Sequence, residues 1–216
     1  AHHGRWGKKI ILFALELFLA AFISAGIIGA AAGFGAFKGI LASAPSMENI
    51  DVSPSGFSTF VYDIDGRQIG KLVSSDSNRE PVPMSQIPEN MAHAFVAIED
   101  ERFYQHNGID IQGIFRAAWI GIKNRHFSQG ASTITQQLIK NNVLTSWTSE
   151  EHFSEKVRRK VQEQYLALEV EKTMDKDRIL ENYMNTINLG QNTLGVQAAS
   201  KRYFNKDVSQ LNLSEC

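Results

Sequence analysis

Gly130-Ala131-Ser132-Thr133-Ile134-Thr135-Gln136-Gln137-Leu138-Ile139-Lys140-Asn141 opens with small residues and becomes an amide-rich stretch carrying a lysine. Thr133 with Gln136 has the spacing of a capping box, so a helix is expected to begin here. A helix start offers unpaired backbone N–H groups and the positive end of a dipole, and Gly130 and Ala131 let an anionic group approach closely. That is chemistry suited to phosphate. Gln136 and Lys140 lie four residues apart on one helix face, where an amide and an ammonium could both reach one pyrophosphate. The same residues also fit a polar helix that faces water.

Carboxylates supply the second kind of chemistry. Glu99, Asp100 and Glu101 are consecutive and sit beside Ile98, Arg102 and Phe103. Adjacent like charges and apolar neighbours both raise a carboxyl pKa, which suits a general base working near neutral pH. The alternative is a solvated acidic cluster with an Arg102 ion pair. Glu163 follows Arg158, Arg159 and Lys160, and it could order those cations around a phosphate or simply form an i,i+4 pair with Arg159. His106 and Asp110 are four apart, but Gly108 interrupts any helix between them. His106 therefore reads as a hydrogen-bonded structural residue, not a metal ligand.

These residues need elements to hold them. Pro88 suits a first helical position, and Met91, Phe95, Ile98 and Phe103 make an apolar stripe after it. A second helix, Ile111 to about Asn124, is apolar nearly all round, so it belongs in a core or dipped into a membrane surface. After the Thr133 helix, a long one is expected from about Glu150 to Lys172, capped by Thr148 with Glu151. On it Val157, Val161, Tyr165 and Leu168 form one stripe; Arg159, Glu163, Leu166, Ala167 and Val170 form another. Further helices start at Asp175 or Asp177 and near Gly195. Upstream, Thr59–Tyr62 and Gln68–Val73 flank Asp65-Gly66 as a β-hairpin, which is expected to join a sheet supplied elsewhere, since two strands alone are marginal.

Residues 10–37 are almost wholly apolar, with Glu16 the one charge; as a helix of about 1.5 Å per residue they would cross a bilayer. Arg5, Lys8 and Lys9 place the N-terminal side in the cytoplasm and all that follows Lys38 outside. Residues 1–9 read as a basic tail whose His2-His3 pair fits a tag remnant, and 38–82 as a linker containing the hairpin. Gly29 and Gly33 have the spacing of a helix-packing motif. The 216 residues, 43% hydrophobic, suffice for one anchor and one domain. A net charge of −1 argues against a nucleic-acid partner, and a single cysteine, Cys216, excludes a disulfide framework. The last residues, Asp207 to Cys216, read as a turn and the beginning of another helix.

Together these stretches resemble the family 51 glycosyltransferases, the peptidoglycan glycosyltransferase domain of class A penicillin-binding proteins and of the monofunctional enzymes. Glu99-Asp100-Glu101-Arg102-Phe103-Tyr104 with His106-Asn107-Gly108-Ile109-Asp110 is similar to the first family motif and Gly130 to Asn141 to the second. Arg159-Lys160-Val161-Gln162-Glu163 with Ala167-Leu168-Glu169 resembles the third, and Arg178 to Asn185 the fourth. Gly195 to Ser200 with Tyr203-Phe204 follows as in the fifth. The resemblance covers residues 83–216. It implies a mainly α, lysozyme-like two-lobed domain behind one transmembrane helix, with the Ile111–Phe127 region as a membrane-dipping lobe.

The implied reaction polymerises lipid II into β-1,4-linked glycan strands and releases undecaprenyl pyrophosphate, at the outer face of a bacterial cell membrane. Carried over, Glu99 is the general base and Glu163 the second carboxylate, near the donor pyrophosphate. Arg116, Ser132, Gln136, Gln137, Lys140, Arg159 and Lys160 fall where the family binds diphosphate and sugars. A divalent metal, Mg²⁺ or Mn²⁺, could assist the leaving group, although no metal cage is visible. The partners implied are lipid II, the growing strand, the bilayer and other cell-wall synthesis proteins. Glu150, Glu151 and Glu155 add acid where the family is expected to be basic, Cys216 replaces a usual alanine, and a transpeptidase domain is expected beyond Cys216. A lysozyme-type lytic enzyme and a non-catalytic lipid-binding anchor are the rival readings.

Overall fold

The computed structural model describes residues 3–46, 50–74, 78–125 and 130–216, with side chains from residue 12 onward. It divides into two compact units, Ala1–Ala44 and Pro45–Cys216. The first contains a single helix, α1 (His3–Ala42). Within it, Leu12–Ala42 is long and apolar enough to cross a membrane, with mean hydropathy 2.2. The helix outruns the expected span because Lys38 does not end it; the Lys38 ammonium lies 5.1 Å from the Phe34 ring centroid. Ser43 closes it by donating its hydroxyl to the Ile40 carbonyl, and Pro45 cannot continue it. Gly29 and Gly33 have nothing within 4 Å of where a side chain would project, so their spacing packs against nothing among the described residues.

The second unit is helical around its site: α2 (Glu89–Glu99), α3 (Ile111–Asn124), α4 (Ile134–Asn142), α5 (Phe153–Thr173), α6 (Lys176–Thr186) and α7 (Val196–Phe204). The short α4 lies against both α5 and α6. Its Ile134, Leu138 and Ile139 are fully buried, as are Leu166 and Ala167 of α5, and Ile179, Leu180, Tyr183 and Met184 of α6. Burying side chains of this kind contributes on the order of 1.5–3 kcal/mol each, so this three-helix contact is the core.

Several expected helix starts move. Pro88 is the N-cap of α2, not its first residue. Thr148 and Glu151 do not cap α5, because Thr145–Ser149 closes into a 3₁₀ turn. The helix starts at Phe153 instead, where the Glu155 carboxylate accepts from the Glu151 and His152 N–H groups. Asp175 caps α6 through the Arg178 N–H. Along α5 the stripe of Glu163, Leu166, Ala167 and Val170 is the buried one, whereas Val157 and Leu168 face out. Ile98, expected in the α2 stripe, is 82% exposed.

β1 (Thr59–Tyr62) and β2 (Gln68–Leu72) pair antiparallel around a turn in which the Asp63 carboxylate accepts from the Asp65 and Arg67 N–H groups. Among the described residues the hairpin joins no larger sheet. An ion-pair tie holds it to the domain instead: buried Glu80 takes Lys71 of β2 at 2.7 Å on one oxygen and Lys201 of α7 at 2.7 Å on the other. Burial alone would push the Glu80 carboxyl up, but the Lys201 and Lys71 ammonium groups outweigh it and hold the pKa below its ordinary 4.5. A depressed folded-state pKa contributes stability above the unfolded value, and that stability is lost as pH falls through the folded one. Glu80→Gln is therefore expected to lower stability at pH 7 and to lose that penalty progressively below about pH 4.5. Urea midpoints of both proteins from pH 7 to pH 3 check this, and a penalty that does not change with pH would exclude the tie.

Candidate active site

The three consecutive carboxylates have three different fates. Asp100 is buried where α2 ends; its carboxylate accepts from the Ile134 N–H at 3.0 Å and meets His106 Nε2 at 2.9 Å. That contact fixes the first turn of α4 against the end of α2, and it gives His106 the hydrogen-bonded structural position expected of it. Glu101 is exposed and pairs with Arg116 of α3 at 3.2 Å. Glu99 is half-buried, and its Oε2 accepts from Gln137 Nε2 of α4 at 2.9 Å.

Glu99, Arg116 and Ser132 come together in one cleft of about 110 Å³, whose other walls include Gly130, Ala131 and Thr133. A Cβ on Gly130 would meet nothing within 4 Å. Asp110, at the same cleft, caps α3 through the Gly113 N–H at 2.9 Å and pairs with Arg102 at 2.5 Å. Thr133 does cap α4, its hydroxyl oxygen accepting from the Gln136 N–H. The second half of the expected capping box does not form. The Gln136 side chain donates instead to the Gly108 carbonyl at 3.2 Å, which also receives the Thr133 hydroxyl at 2.7 Å. Gly108 can sit this close because it has φ +88°, and a Cβ there would stand 2.6 Å from the Ala167 carbonyl oxygen.

In this structure the Gln136 and Lys140 side chains do not converge. Gln136 is buried, with its amide nitrogen committed to Gly108, while the Lys140 ammonium lies 4.5 Å above the Trp147 ring. A shared face at i and i+4 does not make two side chains converge when one is short and packed and the other long and drawn to a ring. The ammonium beside the Gly130–Ser132 run belongs to Lys160, whose Nζ lies 2.6 Å from the Ser132 hydroxyl.

Lys160 also reaches Glu163 at 2.7 Å, and Arg159 holds the other Glu163 oxygen. Glu163 is 1% exposed, so the half-apolar face predicted to carry it is the buried face of α5. Arg159 is gripped by Glu150 through both carboxylate oxygens, at 2.8 and 2.9 Å. This is where one of the unexpected acids preceding the third stretch goes: Glu150 orients Arg159. Burial by itself would lower the Arg159 pKa, but Glu150 and Glu163 raise it, so the guanidinium stays charged. Arg158 and Arg159 line a neighbouring groove of about 250 Å³ with Gln162 and Ser146. Since Ser132 walls the Glu99 cleft, the Lys160 ammonium connects the cleft to the buried Glu163.

α3 displays Ile111, Phe115, Trp119 and Ile122 along one outward stripe, each 63–72% exposed. The expectation of a core or membrane-dipped helix is thus narrowed to a helix with one large apolar face in the open. Residues 126–129, part of the expected membrane lobe, lie outside the described residues. Tyr183 carries no signal of a site residue in the sequence, because its partner Gln137 lies 46 residues away along the chain, beyond any local pattern.

A family model described as transglycosylase matches residues 65–216, reaching further upstream than the stretch carrying the motif resemblance. Penicillin-binding protein 1A of Clostridium botulinum (strain Langeland) is 41% identical over 99% of this chain and 25% of its own length. Penicillin-binding protein 1A of Clostridium perfringens (strain 13) is 45% identical over 82% of this chain and 26% of its own. The Escherichia coli (strain K12) protein of the same name is 40% identical over 88% and 21%. The chain thus spans about a quarter of the length of these relatives. With the model match covering most of the chain and relatives 40–45% identical over most of it, the chain belongs to the transglycosylase family, the peptidoglycan glycosyltransferases of glycosyltransferase family 51.

Proposed function

We propose that the chain polymerises lipid II into β-1,4-linked glycan, inverting the anomeric carbon and releasing undecaprenyl pyrophosphate. The observation that carries this reading is the Lys160 ammonium bridging Ser132, in the wall of the Glu99 cleft, to the buried Glu163. It sets a carboxylate able to accept a proton on one side and a cation pair able to meet a leaving anion on the other. Glu99 takes the proton from the acceptor 4-hydroxyl as that oxygen bonds to the donor C1. The C1–O bond to pyrophosphate breaks, and its electron pair leaves on the pyrophosphate, opposite Lys160 and Arg159. In this reading Arg116 and Ser132, which line the cleft, contact the sugars and phosphates, with Gln136, Gln137 and Lys140 of α4 as further substrate-binding residues.

A protein-built cage for Mg²⁺ or Mn²⁺ does not fit here, because both Glu163 oxygens are engaged by cations. Such an ion would arrive on the pyrophosphate itself. A lysozyme-type lytic reaction needs a single acid and no phosphate cradle, whereas here the Glu99 cleft adjoins the Lys160 and Arg159 cations. We place α1 across a bacterial cell membrane as a single span, with the cleft on the extracytoplasmic side and the apolar face of α3 in the outer leaflet, where lipid-linked substrate lies. The chain then reads as the N-terminal part of a bifunctional class A penicillin-binding protein that works among other cell-wall synthesis proteins. Incubating the purified chain in detergent micelles with lipid II should give a ladder of glycan strands and stoichiometric undecaprenyl pyrophosphate. Unconsumed lipid II, or cleavage of preformed glycan in its place, would overturn the reading.

A further inference from the structure

We propose that Tyr183 is a positioning residue for Glu99, acting through Gln137: its hydroxyl holds the Gln137 carboxamide in the orientation that presents Nε2 to the carboxylate. This rests on Glu99 being the base, as proposed above. The Tyr183 hydroxyl lies 3.2 Å from Gln137 Oε1, and Gln137 Nε2 lies 2.9 Å from Glu99 Oε2. The three side chains come from α6, α4 and α2 in turn, so the relay crosses the core contact that holds the cleft together.

A carboxamide has two nearly isosteric ends, one a donor and the other an acceptor. Flipped, Gln137 would set Oε1 against a Glu99 oxygen, lone pair against lone pair. A hydroxyl that donates to Oε1 opposes that flip and keeps the Gln137 Nε2–H on the Glu99 carboxylate. Tyr183 suits the task in two ways. Its side chain is completely buried and its ring is pinned edge-on by Phe95, with centroids 5.9 Å apart. Burial, and then the Glu99 charge, push its own pKa above the ordinary 10, so it keeps its proton throughout the working pH range.

The other charges around Glu99 are already paired. Asp100 is turned to Ile134 and His106, Glu101 and Arg116 meet each other, and Asp110 holds Arg102. Removing the Tyr183 hydroxyl disturbs none of these pairs. Gln137 is the hydrogen-bonded link between the Tyr183 hydroxyl and Glu99.

The test is the pH profile of lipid II polymerisation by the full chain carrying Tyr183→Phe, Gln137→Leu, both, or Glu99→Gln. Tyr183→Phe is expected to raise the midpoint of the acid limb of kcat/KM by about 0.5 to 1 pH unit. It should lower kcat about 3- to 10-fold while leaving the KM for lipid II within about twofold. Gln137→Leu should move the limb in the same direction, and adding Tyr183→Phe to it should move the limb no further. A midpoint does not depend on what fraction of a preparation is folded, and Gln137→Leu carries the test if Tyr183→Phe folds poorly. An unmoved limb in Tyr183→Phe overturns the proposal, as does an equal extra shift in the double variant. If Glu99→Gln silences the enzyme while the limb stays put, only the positioning role fails. If Glu99→Gln leaves the rate intact, the assignment of the base fails, and the relay with it.

Discussion

Glu99→Gln is expected to lower the polymerisation rate by about 10³-fold, within the roughly 10²- to 10⁴-fold range of a lost general base. Glutamine keeps the shape of the side chain, and Gln137 can still hydrogen-bond to its amide oxygen, so binding of both substrates should change little. What disappears is a site for the proton of the acceptor hydroxyl. The neighbouring carboxylates cannot replace it. Asp100 is buried and committed to the Ile134 N–H and His106, and Glu101 is turned to Arg116. Because Glu99 is half-buried and its hydrogen-bond partner survives, stability should shift by only about 0.5 kcal/mol. Initial rates on lipid II, read beside a thermal melt, check both halves. A variant that melts normally and retains a tenth or more of the rate would remove Glu99 from the chemistry.

The elements were legible in the sequence where periodicity and capping agreed. The span of α3 is as expected, Ile111 to Asn124, and Arg125 closes it in the left-handed conformation, with φ 52°. The start of α5 was misplaced because Thr148 and Glu151 imitate a capping box that a 3₁₀ turn pre-empts. The expected burial of Ile98 failed for a different reason. Apolar periodicity identifies a stripe, but it does not say where the stripe runs off the core and onto the rim of a cleft, and Ile98 lines that rim. The site was legible as a set of residue types, not as a set of pairings. The i,i+3 and i,i+4 contacts of Glu163 with Lys160 and Arg159 could be read from spacing. The exchange of Lys140 for Lys160 beside Ser132 could not, since it depends on how α5 lies against α4. The Tyr183–Gln137–Glu99 relay joins three separate helices and leaves no local trace.

Glu163→Gln should raise the KM for lipid II and lower kcat/KM by about 10- to 100-fold, with a stability loss of about 2 kcal/mol. Removing one partner of a fully buried ion pair typically costs about 3–5 kcal/mol, because the other charge is stranded away from water. Here the cations are not stranded. Arg159 keeps both oxygens of Glu150, and Lys160 keeps Ser132 and has 42% of its side chain in solvent. The structural cost therefore falls below that range. The functional cost does not shrink in the same way. A glutamine can accept from Arg159 or Lys160 but turns its NH₂ toward the other, so one cation moves off position while its charge remains. If these cations meet the pyrophosphate only once they are properly oriented, the substrate is held less well and the departing charge is stabilised less. Denaturant midpoints read the first effect and steady-state kinetics on lipid II the second. A lowered midpoint with unchanged kinetics would make Glu163 scaffolding for α5 alone, and the leaving-group pocket would then have to be sought among Arg158, Arg159 and the groove they line.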